Sequence, residues 1–310
     1  MKKTTIMIVT LVTAISVLAF VAFAGLSENS GYEEFKKVLK NHQQIEAENG
    51  TVTGNIEIID NGATVLKVES NLNADFNESD DQAMSGDFRI ITETLEKELS
   101  IYGLKDVMYI HDVANNDVYV GDITDDGHMR EGREHNFKKD EEFSKQSEGI
   151  MDYFVGDLAK EFNMVKDQDG TMDIEFELTK DEMPAILNLL TTAMSEEHQG
   201  DEDTDLDTGF EADCEAYPIL KEFYDAQFEM TELVDEVEIE YLKIVLDLDS
   251  NKEIVGASFV VNVSGLDENA ETHMITVKAE FNISNINNAQ IRTIDLEGKN
   301  IIQLPEDHEE

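Results

Sequence analysis

Thr272-His273-Met274-Ile275-Thr276-Val277-Lys278-Ala279-Glu280-Phe281-Asn282-Ile283-Ser284-Asn285 alternates along its length: Ile275, Val277, Ala279, Phe281 and Ile283 fall on one side, Thr276, Lys278, Glu280 and Asn282 on the other. A period of two sustained this long is a β-strand with a dry face and a wet face. Residues 237–248 and 254–265 read the same way, with Asp249-Ser250-Asn251-Lys252 as the turn between them. The three form an antiparallel meander, and its one-sided alternation requires a cover over the dry face.

The pattern recurs upstream. Val52, Ile56 and Ile58 alternate up to Asp60-Asn61-Gly62, where Asn-Gly is a strong hairpin signal because both residues accept positive φ. The return strand carries Leu66, Val68, Leu72, Ala74 and Phe76 on one side, and Lys67, Glu69, Asn71, Asn73 and Asp75 on the other. Further strands are predicted over residues 84–92, 98–102, 107–111 and 118–120. Met172, Ile174, Phe176 and Leu178 mark another.

Between the strands the period changes to helical. One helix is predicted from Tyr32 to Ile45, with His42 in its apolar stripe, and a second through Phe143, Ile150, Met151, Phe154, Leu158 and Phe162. A third carries Ile186, Leu187, Leu190 and Met194 behind a Thr179/Glu182 capping box, and a fourth carries Ile219, Leu220, Phe223, Met230 and Leu233. Strands and helices in separate runs indicate an α+β fold with an antiparallel sheet. A strongly curved sheet, a half-open barrel wrapped on the amphipathic helices, satisfies the pattern.

This arrangement over residues 32–288 resembles the LolA/LppX-like envelope lipoprotein carriers. The most suggestive stretch runs from Leu246-Asp247-Leu248-Asp249-Ser250 through Ile254-Val255-Gly256 to Ser284-Asn285-Ile286-Asn287. The resemblance implies an unclosed barrel capped by helices that holds an acyl chain or a lipidated protein. The cavity would then be lined by Leu66, Val68, Leu72, Phe76, Phe88, Val277 and Phe281 from strands, and Phe154, Leu158, Leu187 and Leu190 from helices. Periodicity describes a closed, dry core equally well.

At the N-terminus Lys2 and Lys3 precede an uncharged apolar stretch, residues 6–26, that contains Ala22-Phe23-Ala24. This reads as a secretory signal cut after Ala24, or as an uncleaved anchor long enough to span a bilayer. Either way residues 25–310 are exported as one domain. Gly25 and Leu26 stand where a lipoprotein carries its anchoring cysteine, so relatives' lipid anchor is not expected. Residues 195–213 read as an acidic mobile loop and 303–310 as an acidic tail.

The formal charge of −46, from 69 acidic against 23 basic residues, excludes nucleic acid as a partner. It leaves a lipid or lipidated protein, a basic protein, and weak divalent-cation contacts, with membrane contact only through residues 6–26 where that segment stays uncleaved. A single cysteine, Cys214, rules out an internal disulfide. No EF-hand spacing is met by the acidic loop starting at Asp203, and no zinc pattern fits His128 and His135. His111 and His273 read as strand-end rim residues. No nucleophile elbow, Walker loop or dinucleotide fingerprint is present, so neither a cofactor nor catalysis is expected. The two functional readings are a non-catalytic lipid or apolar-segment carrier, and a membrane-tethered interaction or sensory ectodomain with an acidic face.

Overall fold

The computed structural model describes residues 49–75, 83–104, 107–122, 158–166, 170–183, 219, 221–222 and 231–304. The N-terminal segment, the first helix, Phe76, Phe154, Leu187, Leu190, the loop 195–213, Cys214, His128 and His135 lie outside these residues. Among the described residues no helix is long and apolar enough to cross a membrane.

The strands are β1 (Asn49–Asp60), β2 (Ala63–Asp75), β3 (Ala83–Thr92), β4 (Glu96–Leu104), β5 (Val107–Asp112), β6 (Asp117–Asp122), β7 (Phe162–Lys166), β8 (Met172–Thr179), β9 (Asp235–Leu248), β10 (Ile254–Leu266), β11 (Thr272–Ser284) and β12 (Asn300–Gln303). They form one sheet in the order β12-β6-β5-β4-β3-β2-β1-β11-β10-β9-β8-β7. The sheet is open, with β12 and β7 at its edges. Register irregularities in β1–β2 and β9–β10 bend and twist it locally, and sheets this wide curl rather than lie flat. The β1–β2 turn has φ 47° at Asn61 and 86° at Gly62, the pair of positive values expected of Asn-Gly.

Three features differ from the sequence expectation. First, the described part is almost entirely strand. Of the covering helices, Ile219, Lys221 and Glu222 are described as helical, and only a 3-10 turn, Lys180–Glu182, is described behind the capping box. Second, Phe162 opens β7 instead of closing a helix. The 3-10 turn Ala159–Glu161 ends the helical period, and Phe162 pairs with Phe176 at 4.7 Å between ring centroids, a favourable cross-strand contact.

Third, the chain does not end with the meander. After β11 it crosses the polar face of the sheet. Asn287 donates to the Asn49 carbonyl at 2.7 Å, the Arg292 amide to Ser85 Oγ at 2.9 Å, and the Arg292 guanidinium to Asp87 at 2.8 Å while lying 5.8 Å over the Tyr102 ring. Lys299 Nζ reaches His111 Nε2 at 3.1 Å. β12 then pairs with β6, the one parallel pairing among the described strands. Covered on both faces, Val118 and Tyr119 are almost fully buried. Gln303 is the last residue of this strand, and Leu304 donates to the Val120 carbonyl at 2.8 Å.

The apolar face carries two buried clusters. The larger joins Ile58 to β7–β11, with Leu178, Ile239, Val261, Ile275 and Val277 at its centre and Leu233 and Met183 packed on it. The smaller joins Leu99, Tyr119 and Ile219, flanked by Phe88, Ile90, Ile110 and Ile302.

Candidate functional site

Strand register places the sheet residues expected to line a cavity on one face. Across the β3-β2-β1-β11-β10 strands one row reads Phe88, Ser70, Gly54, Phe281 and Ala257. The row beyond it contains Gly86, Leu72, Val52 and Ile283, and the row before it Ile90, Val68, Ile56, Ala279 and Phe259. Alternation alone therefore brings Leu66, Val68, Leu72, Phe88, Val277 and Phe281 together.

Their surroundings differ. Val277 is 3% exposed and sits inside the larger cluster, with Leu66 and Leu158 packed against its edge. Phe88 flanks the smaller cluster. Between the clusters, Val52, Leu72 and Ile283 are half-buried and Phe281 is 41% exposed. The Phe281 ring is seated on Gly54, where an added Cβ would stand 3.1 Å from the ring and 2.7 Å from Ser70 Oγ. The missing side chain at Gly54 makes the seat. An apolar strip thus runs between two closed cores.

A charged group stands on the same face. Lys97, opposite Ile90, is 3% exposed and reaches Asp112 Oδ2 at 2.5 Å and the Glu222 carboxylate. Asn115 Nδ2 bridges the two carboxylates, 2.8 Å from Asp112 and 3.0 Å from Glu222. Burial disfavours the ammonium, but the hydrogen bonds to Asp112 and Glu222 outweigh it and hold the Lys97 pKa above the ordinary lysine value. Beside it the Ile219 amide donates to Tyr119 Oη at 3.2 Å. Ile219 and Glu222 are thereby fixed to the sheet. A strand predicted over residues 98–102 leaves this group out; extending the alternation of Leu99 and Ile101 back two residues puts Lys97 on the dry face.

The opposite face is polar. It carries ion pairs such as Arg89–Glu96 and Lys243–Glu175, and a cleft of about 480 Å³ bordered by Glu69, Asn71, Asp87, Arg89, Glu98 and Ser100. Asp247 stands directly opposite Asp173 there. Burial, then the charges of Asp173 and Glu280, push the Asp247 carboxyl above its usual pKa.

No protein-family profile matches the chain, and no curated protein matches it. In structure the chain is similar to LprF from Mycobacterium bovis at 10% identity over 83% of this chain and 95% of that one, with a TM-score of 0.31. A conserved protein of unknown function with a hot dog fold from Alicyclobacillus acidocaldarius overlaps 82% of this chain and 86% of its own at 6% identity and a TM-score of 0.09. Overlays this loose carry no functional argument, which rests on the sheet itself.

Proposed function

We propose that the protein is a non-catalytic extracytoplasmic carrier that holds an acyl chain or an apolar protein segment on the open strip around Phe281. The observation that carries this reading is the exposure of Phe281 in a half-buried apolar strip that runs between two buried clusters. A strand residue seated between two closed cores gains by burying its ring, at roughly 25 cal/mol per Å² of apolar area removed from water. Val52, Leu72 and Ile283 extend the strip along neighbouring strands, and an extended apolar guest matches that shape. Val277 belongs to the supporting core and not to the contact surface. The resemblance to LolA/LppX-like carriers, and the apolar N-terminus that would deliver the chain outside the cytoplasm, agree with this reading.

Native mass spectrometry of the protein extracted gently from its envelope tests it. A lipid-sized adduct that a Phe281→Asp variant fails to retain is expected. Repeated recovery of the free chain, together with no uptake of a fluorescent fatty acid, refutes the carrier reading.

A further inference from the structure

The end of the β1–β2 hairpin meets the β10–β11 turn at a second group of side chains, on the rim of the apolar face. His273 is opposed there by Asp60, Asp267 and Glu271. His273 Nδ1 lies 2.9 Å from Asp60 Oδ1, and Nε2 lies 3.8 Å from Asp267 Oδ2. One ligand atom from each of Asp267, Glu271 and His273 falls within 4.8 Å of the others. Asp60 and His273 are largely buried, at 11% and 16% exposure. Asp60 also accepts from Thr231 Oγ1.

An ionised carboxylate only accepts hydrogen bonds, so the contact with Asp60 places a proton on Nδ1. The Asn61 amide, 3.3 Å from the same nitrogen, also reaches the Thr272 carbonyl. Nε2 then faces Asp267 across a gap too long for an N–H···O bond. That gap is close to the separation, about 3.4 Å, of two ligands bound tetrahedrally to one zinc ion at about 2.0–2.2 Å. A carboxylate on the far nitrogen of the ring is also the usual means of orienting a metal-bound histidine.

The chain contains its own control. Asp249-Ser250-Asn251-Lys252-Glu253 and Asp267-Glu268-Asn269-Ala270-Glu271 are the same turn. In each, the first Asp accepts from the amides two and four residues on, at 2.8 and 2.9 Å in one loop and 2.9 and 2.7 Å in the other. The fourth residue has positive φ in both, 67° at Lys252 and 60° at Ala270. Turn chemistry thus explains the Asp and the Asn. It does not explain an imidazole held by a largely buried carboxylate and aimed at the same Asp.

We infer that His273 Nε2, Asp267 and Glu271 bind one divalent cation of the zinc type, with Asp60 positioning the imidazole and a fourth ligand position open to water. The site is separate from the apolar strip and does not depend on the carrier reading. Cobalt(II) titration of the purified full chain tests it, followed by visible absorption and displaced with zinc. One saturable equivalent with the intense absorption of tetrahedral cobalt is expected. His273→Gln and Glu271→Gln should each weaken binding at least tenfold, and Asp60→Asn by about 10–100-fold. Glu253→Gln, in the control turn, should change nothing. Far-ultraviolet circular dichroism separates loss of ligand from loss of fold, and Glu271→Gln, at an exposed position, leaves the fold intact. Uptake that is equal in the wild type and both ligand variants, or cobalt that stays octahedral, overturns the inference.

Discussion

The Phe281 ring lies over Gly54 on the neighbouring strand, so close that a Cβ at Gly54 would stand 3.1 Å from it. A side chain at residue 54 must therefore move the ring or the Ser70 hydroxyl. Gly54→Val is expected to destabilise the fold by about 1–3 kcal/mol through overpacking and to lower the affinity for a fluorescent fatty acid. Chemical denaturation and a probe titration check the two effects. Unchanged probe affinity would show that the seat of the ring has no part in binding.

Phe281 and Ile275 share one strand and one face but differ in burial, 41% against 0% exposed. Ile275→Ala should cost about 2–5 kcal/mol, as expected for a filled core site. Phe281→Ala should cost far less stability yet remove most probe binding. If both variants lose stability alike, the Phe281 strip is core and not surface.

The strands were legible because alternation survives wherever one face is dry, as in β8 and β11. One-sided alternation calls for a cover over the dry face, and of the expected fourth helix Ile219, Lys221 and Glu222 are helical, whereas Leu233 is not: it lies in the non-helical run 231–234 that leads into β9. Residues 285–299 gave no signal because their order comes from single polar contacts, Asn287 to Asn49 and Arg292 to Ser85 and Asp87, rather than from periodicity. Lys97 was hidden for another reason. Its partners lie 15 and 125 residues away, and no local pattern marks a lysine as interior. The division of the apolar face into closed core and open strip was equally unreadable, because Val277 and Phe281 are both apolar residues at the same spacing and differ in burial, 3% against 41% exposed.

Lys97→Met leaves Asp112, fully buried, without its cation. Breaking a buried pair from one side is expected to cost about 3–5 kcal/mol. The pH dependence has a definite sign. Because the folded-state pKa of Lys97 is raised, its contribution is complete below the unfolded value of about 10.4 and fades as pH rises through the folded one. Urea midpoints measured between pH 8 and 11 should therefore fall more steeply for the wild type than for Lys97→Met.

Arg292 holds the C-terminal crossing against β3 through Asp87 and against β4 through the Tyr102 ring. Both partners of the ion pair are about half exposed, so Arg292→Ala should cost only about 1 kcal/mol overall. Its effect should be local: amide exchange in β12 and β6 accelerates while β9 and β10 are unchanged. Burial works against the Asp87 carboxylate, but hydrogen bonds from Arg292 and Ser100 win and lower its pKa. The contribution of the pair is therefore present above the unfolded aspartate value, about 3.9, and disappears as pH falls through the lower folded one.

Asp247 gives the opposite sign. Its carboxylate covers Gly256, 2.5 Å from where a Cβ would stand, and faces Asp173 directly across the β8–β9 pair. Like charges placed opposite one another on a sheet are unfavourable, and burial adds to the cost of ionisation. The folded-state pKa is raised, so the native state binds the proton more tightly than the unfolded chain does. Stability must then fall as pH rises from the unfolded aspartate value, about 3.9, through the higher folded one. Asp247→Asn removes the charge but keeps the size of the side chain. It should stabilise the protein at pH 7 by about 0.5–1 kcal/mol and flatten the stability profile over that window. A variant less stable than the wild type at pH 7 would mean that the Asp247 carboxylate is engaged by a cation or donor whose attraction exceeds the Asp173 repulsion.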